Sequence, residues 1–253
     1  MVELKKVFRI LLMGLVFVFS VCMEKPSFGL IKTANLKAAW RFEGNANDWS
    51  GGGYNLTVNG SASLTTGKFG QAYTFNGTTD NLTYSPVATA FNVASGGSAS
   101  ISLWVKTSSN DAGLFYIQGG VGGIPLIYMQ IGDSTAGGTA NKFNTYTRAD
   151  NGSAKIPLNG SATVNDNAWH HLVVVLSDTT VTSYVDGAQD ATSSLSGANN
   201  GLTFTAGSNS IYIGSIGGGH YLNGIIDEVR FYKRALTAVE VRALMLNYDP
   251  GEF

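Results

Sequence analysis

Oxygen-bearing side chains occur in two segments near opposite ends of the sequence. Glu43, Asn45 and Asp48 lie among glycines, and Asp227 follows two isoleucines. Carboxylate, amide and backbone carbonyl oxygens are the ligands that calcium takes in proteins. We predict one structural calcium ion held by Asp48 and Asp227, with Asn45 or Glu43 and carbonyl oxygens. The alternative is that Asp227 accepts backbone N–H bonds and Asp48 is an ordinary turn residue.

The position of Asp227 in its segment strengthens the metal prediction. On a regular strand it would share one face with Ile225, Val229 and Phe231, because successive side chains point to opposite faces. An unpaired carboxylate on an apolar face costs several kcal/mol or more. Asp227 is therefore expected to have a partner, either a cation or backbone donors.

Aromatic residues offer a different chemistry, since their apolar faces and polar tips suit the stacking of sugar rings. The candidate ligand-binding residues are Trp104, Tyr128, Tyr146, His220 and Tyr221. Trp104 alternates with Ile101, Leu103 and Val105, so it points away from them and either stacks on a ligand or packs. Further platforms of equal standing are Trp49, Tyr54 and Tyr116.

Catalysis is not predicted, because the residues for it are not arranged in pairs. Hydrolysis of glycosides needs two well-placed carboxyl groups, whereas Asp227 and Glu228 are chain neighbours on opposite strand faces. His170 and His171 are adjacent too and cannot readily share one metal ion. The sequence also lacks a Gly-x-Ser-x-Gly elbow, a phosphate loop and a zinc helix motif. A lyase using Tyr, His and Arg stays open, because such residues need not be close in sequence.

The elements that position these residues are predicted to be strands. Alternation is clear in Leu36–Glu43, and Asn-Gly and Asp-Gly pairs, which favour tight turns, separate the apolar segments. The predicted strands are 36–43, 55–58, 72–75, 81–84, 99–107, 113–118, 125–131, 142–148, 169–177, 181–185, 210–214 and 224–232. One short helix follows Thr237, which forms a capping box with Glu240 and would dock through Val241, Leu244 and Met245. The pattern predicts an all-β sandwich of two antiparallel sheets.

Composition agrees with this architecture. Charged residues make up 13% of the 253 residues, about half the usual share, and there are 32 glycines. The formal net charge is −1 and there is no basic stripe, which argues against nucleic acid as a partner.

The start of the sequence is interpreted as an export signal. Within residues 1–29, Lys5, Lys6 and Arg9 precede the apolar run Ile10–Met23, which is too short for a comfortable membrane span. We therefore expect no transmembrane span after signal removal and a secreted or cell-surface domain over 30–253. Cys22, the only cysteine, is either an ordinary signal residue or the lipidated cysteine of a bacterial lipoprotein.

Several segments resemble, in the same order, the laminin-G-like and concanavalin A-like superfamily. They are Trp40–Gly51 (WRFEGNANDWSG), Gly67–Gly77 (GKFGQAYTFNG), Ser98–Lys106, Trp169–Val175 (WHHLVVV), Tyr184–Gly187 (YVDG), Ile211–Gly214, Gly224–Tyr232 (GIIDEVRFY) and Arg234–Leu236. The resemblance implies a jelly-roll fold with adjacent first and last strands and Trp104 as a packing residue. It also implies a structural calcium near the Asp-x-Ser-Gly turn, here Asp48. The glycosidases of this fold carry Glu-x-Asp-x-x-Glu, which this sequence lacks.

These observations lead to one expected function and two alternatives. The expected function is that of an exported, non-catalytic, lectin-like module that binds a glycan or polysaccharide, with a structural calcium ion. The alternatives are a module that adheres to surface proteins, and a hydrolase or lyase that degrades polysaccharides.

Overall fold

A computed structural model describes residues 35–85, 91, 97–118, 125–132, 138–148, 155–177, 179–194 and 210–246. In this part of the chain there are fifteen strands and one α-helix. The strands are β1 Leu36–Trp40, β2 Thr57–Asn59, β3 Ser63–Thr66, β4 Gln71–Asn76, β5 Asn81–Tyr84, β6 Ala99–Thr107, β7 Ala112–Gln118, β8 Pro125–Ile131, β9 Lys142–Arg148, β10 Lys155–Thr163, β11 Trp169–Leu176, β12 Thr180–Val185, β13 Ala188–Ser194, β14 Ser210–Ile213 and β15 Asn223–Tyr232. The helix, α1, is Ala238–Met245.

The strands form two antiparallel sheets. The eight-stranded sheet has the order β13-β12-β11-β6-β15-β4-β3, with β1 also paired to β15. The seven-stranded sheet has the order β10-β9-β8-β7-β14-β5-β2. The predicted all-β jelly-roll sandwich is confirmed, and so is the predicted adjacency of the first and last strands.

One apolar core lies between the sheets. On β6 it takes Ile101, Leu103 and Val105, whose side chains are fully buried, and the alternate residues of the strand point to the opposite side. The same alternation holds on β14, where Ile211 and Ile213 enter the core. Each sheet therefore has an inner face in the core and an outer face turned away from the other sheet.

Three strands escape prediction because their sequences are polar. β3 and β13 are built mostly from Ser, Thr, Ala and Gln, and the second half of β10 is Asn-Gly-Ser-Ala-Thr, so an apolar alternation is short or missing. The prediction of hairpin turns at Asn159-Gly160 and Asn223-Gly224 is wrong, since both pairs lie within strands. Gly160 is needed for close approach instead, because a Cβ there would stand 2.3 Å from the carbonyl oxygen of Phe143.

The helix begins as predicted. The Thr237 hydroxyl accepts a bond from the Glu240 N–H, and the Glu240 carboxylate accepts one from the Thr237 N–H, which completes the capping box. Its buried residues include Val241 and Leu244, which pack against Val173 on the outer face of the eight-stranded sheet. The helix thus covers one part of that outer face.

A β-bulge at Glu228 overturns the predicted orientation of Asp227. Glu228 has a φ of 52°, and the pairing with β6 shifts register between Asp227 and Arg230. Ile226 and Val229 enter the core, so Asp227 lies on the outer face, opposite Trp104. The expectation that Asp227 shares the apolar face was wrong because it assumed unbroken alternation.

The predicted signal segment 1–29 and Cys22 lie outside the described residues. Within the part of the chain that the structure describes, no helix is both long enough and apolar enough to cross a membrane.

Candidate functional site

Four tyrosines form a row across the outer face of the seven-stranded sheet. Tyr212 on β14 is directly opposite Tyr116 on β7, which is opposite Tyr128 on β8, which is opposite Tyr146 on β9. Each is flanked in its strand by residues of the opposite face, such as Ile211 and Ile213 around Tyr212. The four side chains, called the tyrosine row below, therefore run perpendicular to the strands.

The rings of the tyrosine row pack against one another. Tyr128 and Tyr146 stack with ring centroids 4.7 Å apart and an interplanar angle of 4°. The centroids of Tyr116 and Tyr128 are 6.3 Å apart, and those of Tyr116 and Tyr212 are 5.7 Å apart. Tyr116, Tyr128 and Tyr146 are each at most 6% exposed, whereas Tyr212 is half-buried. The row thus presents little ring face except at its Tyr212 end.

Burial keeps the central phenol of the row protonated. Desolvation, together with the nearby Tyr212, raises the pKa of Tyr116 to about 12. Its hydroxyl therefore keeps its proton, and with it the ability to donate a hydrogen bond, across the physiological pH range.

The loop Ser215–Tyr221 borders the row at β7. Ile216 packs against the tyrosine row, and Gly217 lies over the Tyr116 ring, 3.4 Å from a ring carbon to the position of a Cβ. The loop reaches so close to β7 that a Cβ on Gly113 would stand 2.5 Å from Ile216 Cγ1. Glycine at position 113 thus allows the loop to sit on the outer face.

The two predicted loop residues lie in this same loop. His220 Nδ1 is 3.0 Å from Asp111 Oδ1, and the His220 carbonyl accepts a hydrogen bond from the Gly113 N–H. Tyr221 is half-buried, with its hydroxyl beside Gly218. Four of the five predicted ligand-binding residues, Tyr128, Tyr146, His220 and Tyr221, therefore belong to one face and its bordering loop.

Amide side chains lie next to the row on the same face. Gln130 and Asn144 are opposite each other on β8 and β9, two residues along from Tyr128 and Tyr146. Both are buried and both donate to the Gly132 carbonyl at 2.9 Å. They hold the end of β8 in place beside the row.

Trp104 lies elsewhere, on the outer face of the eight-stranded sheet. It is 5% exposed, packed edge-on against Phe69 at 5.9 Å and beside His171 at 5.1 Å. The Lys68 ammonium lies 4.4 Å from its ring centroid. Of the two roles that the alternation of residues left open for Trp104, stacking on a ligand and packing, this placement favours packing.

Two of the predicted calcium ligands meet at the segment Gly67–Gln71. Asp227 Oδ2 accepts the Phe69 N–H at 3.0 Å, and both carboxylate oxygens of Glu43 lie 3.3 Å from the Gln71 nitrogen. Asp227 Oδ1 is buried with no hydrogen-bond partner among the described residues. Burial raises the pKa of Asp227 to about 7, with a smaller contribution from the neighbouring Glu228 carboxylate.

The other two predicted ligands are engaged in turns. The Asp48 carboxylate accepts bonds from the backbone N–H groups of Ala39, Ser50 and Tyr54. The Asn45 side-chain oxygen accepts the Asn47 N–H at 2.9 Å. No group of three His, Cys, Asp or Glu side chains able to hold a metal ion occurs among the residues that the structure describes.

The two adjacent histidines have separate environments. His170 lies between two carboxylates, 2.8 Å from Asp186 Oδ2 and 3.0 Å from Asp166 Oδ1. His171 is fully buried with Nε2 2.9 Å from Ser102 Oγ, and burial, aided by Arg230, lowers its pKa to about 3. His171 is therefore neutral at physiological pH.

Sequence reasoning gave Tyr116 only equal standing with other platforms and did not single out Tyr212. The strand sequences did contain the relevant pattern, because each tyrosine of the row stands between two residues that point inward. The local sequences are Phe115-Tyr116-Ile117, Ile127-Tyr128-Met129, Thr145-Tyr146-Thr147 and Ile211-Tyr212-Ile213. The pairing order that aligns them was not available from sequence.

Comparison with known proteins agrees with the fold. A family model described as Laminin_G_3, concanavalin A-like lectin/glucanases superfamily, matches residues 76–242. A comparison with curated proteins gives no match.

Solved structures share this architecture at low identity. The binding domain of Paraclostridial Mosquitocidal Protein 1 has a TM-score of 0.65 and 18% identity over 85% of this chain, which spans 52% of that one. Domain 4 of AbnA, a GH43 extracellular arabinanase from Geobacillus stearothermophilus, solved with arabinotriose, has a TM-score of 0.63 and 22% identity, with 84% and 98% of the two chains covered. The binding domain of Botulinum Neurotoxin DC in complex with SialylT has a TM-score of 0.63 and 14% identity over 85% of this chain, which again spans about half, 52%, of the toxin chain. The family model covers well over half of the sequence, and the chain therefore belongs to the Laminin_G_3 family of the concanavalin A-like lectin/glucanases superfamily.

Proposed function

We propose that the chain is an exported, non-catalytic carbohydrate-binding module that holds a glycan at the tyrosine row and its bordering loop. The observation that carries the proposal is the alignment of four tyrosines across four adjacent strands on an outer face. The three buried rings support the half-buried Tyr212, which is the member of the row that an elongated ligand would contact. Phenols supply both apolar surface and hydrogen bonds, the two contacts that sugars need.

The geometry indicates how contact is divided along the site. Tyr128 and Tyr146 stack on each other and are 6% and 5% exposed, so their ring faces are used within the protein. The half-buried Tyr212 and Tyr221 supply ring surface, while His220 and Asp111 supply polar groups. Stacking is thus expected at the Tyr212 end of the row, beside the loop.

Binding without catalysis is supported by the carboxylates near this face. Glycoside hydrolysis needs two carboxyl groups about 5 to 10 Å apart on either side of the bond. Asp111 beside this face bonds to His220, and the sequence lacks the Glu-x-Asp-x-x-Glu pattern of the glycosidases of this fold.

The solved relatives support a sugar as the ligand class. The arabinanase domain was solved with arabinotriose and the neurotoxin domain with SialylT. Export is supported by the basic and apolar start of the sequence, residues 1–29. Anchoring through a lipidated Cys22 is the alternative to free secretion.

Affinity electrophoresis against arabinan, arabinoxylan, mixed-linkage β-glucan and galactomannan tests the proposal. We expect retardation by at least one polysaccharide, and a loss of about ten-fold in affinity for Tyr212→Ala, since one stacked ring contributes on that order. Tyr184→Ala is the matched control, because Tyr184 is also half-buried but lies in the eight-stranded sheet. Unchanged retardation of Tyr212→Ala, with the wild type clearly retarded, would contradict this site.

We further propose a structural calcium ion between Glu43, Asp227 and backbone oxygens of Gly67–Gln71. Asp227 Oδ1, buried without a partner among the described residues, is a suitable oxygen ligand, and Glu43 meets the same segment. Asp48 and Asn45 are left out of this set because their oxygens bond within residues 39–54 rather than to the segment Gly67–Gln71.

A further inference from the structure

Trp49 is a tryptophan exposed to solvent on a structured loop. Its side chain is 54% exposed, whereas Trp40 is fully buried and Trp104 is 5% exposed. Trp49 lies between β1 and β2, and its backbone N–H donates to the Ala39 carbonyl at 2.7 Å. An apolar ring in water is unfavourable in proportion to its exposed area, so its presentation calls for an explanation.

The backbone on either side of Trp49 is tied to strand β1. The preceding residue, Asp48, accepts the Ala39 N–H at 2.9 Å and the Ser50 N–H at 2.8 Å. The following residue, Ser50, donates its hydroxyl to the Lys37 carbonyl at 2.9 Å. The loop is thus ordered before any ligand arrives, which lowers the entropic cost of binding.

Nothing that follows Ser50 directly in the chain covers the ring. Gly51, Gly52 and Gly53 carry no side chains, and Gly51 and Gly53 have φ values of 84° and 77°. At Gly52 a Cβ would stand 2.2 Å from the Tyr54 ring, so a larger residue would displace the loop. The glycines therefore maintain the conformation of the loop that presents Trp49.

Arg41 fixes the orientation of the indole. Its guanidinium carbon lies over the Trp49 ring, 5.4 Å from the centroid. Its Nε is 3.5 Å from Oε1 of Glu228, which is 1% exposed and sits at the bulge of β15. Glu228 is shared between Arg41 and Arg230, so it holds the Arg41 guanidinium beside the indole.

The surroundings of the ring are polar. Asn45 and Asn47 are exposed in the same loop, and their amide groups suit bonds to hydroxyls. A protein interface would instead need several hundred Å² of surface with an apolar centre. A single ring among amides and glycines matches the apolar face and the hydroxyl rim of a sugar.

We propose that Trp49, braced by Arg41, is a second glycan-binding site that stacks a sugar residue. It lies beside β1 and β15 of the eight-stranded sheet, whereas the tyrosine row covers the outer face of the seven-stranded sheet. The proposal takes its ligand class from the function proposed above, but its residues are different ones.

Acrylamide quenching of tryptophan fluorescence tests the site on the full chain with the same four polysaccharides. We expect a binding polysaccharide to protect the exposed tryptophan from quenching in the wild type and in Tyr212→Ala. Trp49→Ala should remove the protected component and reduce affinity by about ten-fold. Trp49→Phe should retain part of the affinity, and Arg41→Lys should lose part of it, because an ammonium does not stack as a guanidinium does.

The control is Val239→Ala, which removes an exposed apolar side chain from the helix and should change neither readout. The Trp49 site would be overturned, and the tyrosine row left standing, by three results together: Trp49→Ala binds as tightly as the wild type, no polysaccharide protects the wild type from quenching, and Tyr212→Ala binds weakly. Absence of wild-type binding to all four polysaccharides would overturn both sites. Melting temperatures of the variants exclude unfolding as the cause.

Discussion

His170 connects two turns through its two ring nitrogens. Asp186 belongs to the turn between β12 and β13, and Asp166 to the turn before β11. The hydrogen bond to Asp186 is the main reason that the pKa of His170 lies above its ordinary value of 6.5, and burial opposes it. The backbone N–H of Ala168 and the bond to His170 hold the pKa of Asp166 below its ordinary value of 3.8.

This arrangement predicts a pH dependence of stability. The contribution of His170 is complete below pH 6.5 and is lost as the pH rises through its raised pKa, because the folded state binds the proton more tightly. The contribution of Asp166 is present above pH 3.8 and is lost as the pH falls through its lowered pKa. The cluster is therefore most stabilising between these two values.

Thermal melting between pH 5 and 8.5 measures this dependence, because this range spans the ordinary pKa of histidine and extends to its alkaline side. We expect the melting temperature to fall towards the alkaline end in the wild type and to fall less in His170→Gln. Parallel curves for the two proteins would show that His170 does not carry the effect.

At the scale of elements, Asp190 fastens the edge of one sheet to the edge of the other. It lies on β13, and its Oδ1 accepts the Ser161 N–H, the Ser161 hydroxyl and the Ala162 N–H of β10 at 2.8 to 2.9 Å. β13 and β10 end the two sheets on the same side of the sandwich. One carboxylate thus joins strands that do not pair with each other.

Replacement of Asp190 by Ala is expected to lower the free energy of unfolding by about 1–3 kcal/mol, because three donors lose a charged acceptor. Urea denaturation measures the difference, and the exposed neighbour Gln189→Ala should change it by less than about 0.5 kcal/mol. Equal stability of the two variants would mean that water replaces the carboxylate without cost.

Sequence alternation predicted the apolar strands but not how they pair. β5, β6, β8 and β9 have the predicted boundaries because their apolar or aromatic residues alternate up to the turns. Prediction of the tyrosine row would also require the order of the strands in the sheet. β14 lies between β7 and β5, which are far from it in the chain. Asp227 shows a second limit, since a single extra residue at Glu228 moved it to the other face. Local patterns do not encode such register shifts.

At the scale of the whole molecule, the proposed calcium ion joins distant parts of the chain. Glu43 follows the first strand, Gly67–Gln71 connects β3 to β4, and Asp227 lies in the last strand. An ion bound only by the folded state stabilises it by about 2.7 kcal/mol at a hundred-fold excess over Kd.

Calorimetry in calcium and in chelator tests this link. We expect the melting temperature of the wild type to fall by several degrees in chelator, and that of Glu43→Gln to respond much less. Identical melting of the wild type in both buffers would mean that backbone donors satisfy Asp227 unaided.

Two sites on different sheets would let one molecule touch two glycan chains. The tyrosine row lies on the seven-stranded sheet, whereas Trp49 lies in a loop hydrogen-bonded to β1 of the eight-stranded sheet, so the two sites share no residue. Weak sites gain apparent affinity when both engage one polymer.

The bulged β10 has a consequence for association between molecules. An exposed edge strand invites another chain to add to the sheet, and this is a common route to aggregation. β10 forms an edge of the seven-stranded sheet, but Pro157 lacks an N–H and the register shifts between Asn159 and Thr163. With Asp190 also occupying the N–H groups of Ser161 and Ala162, this edge offers a poor template for fibril growth.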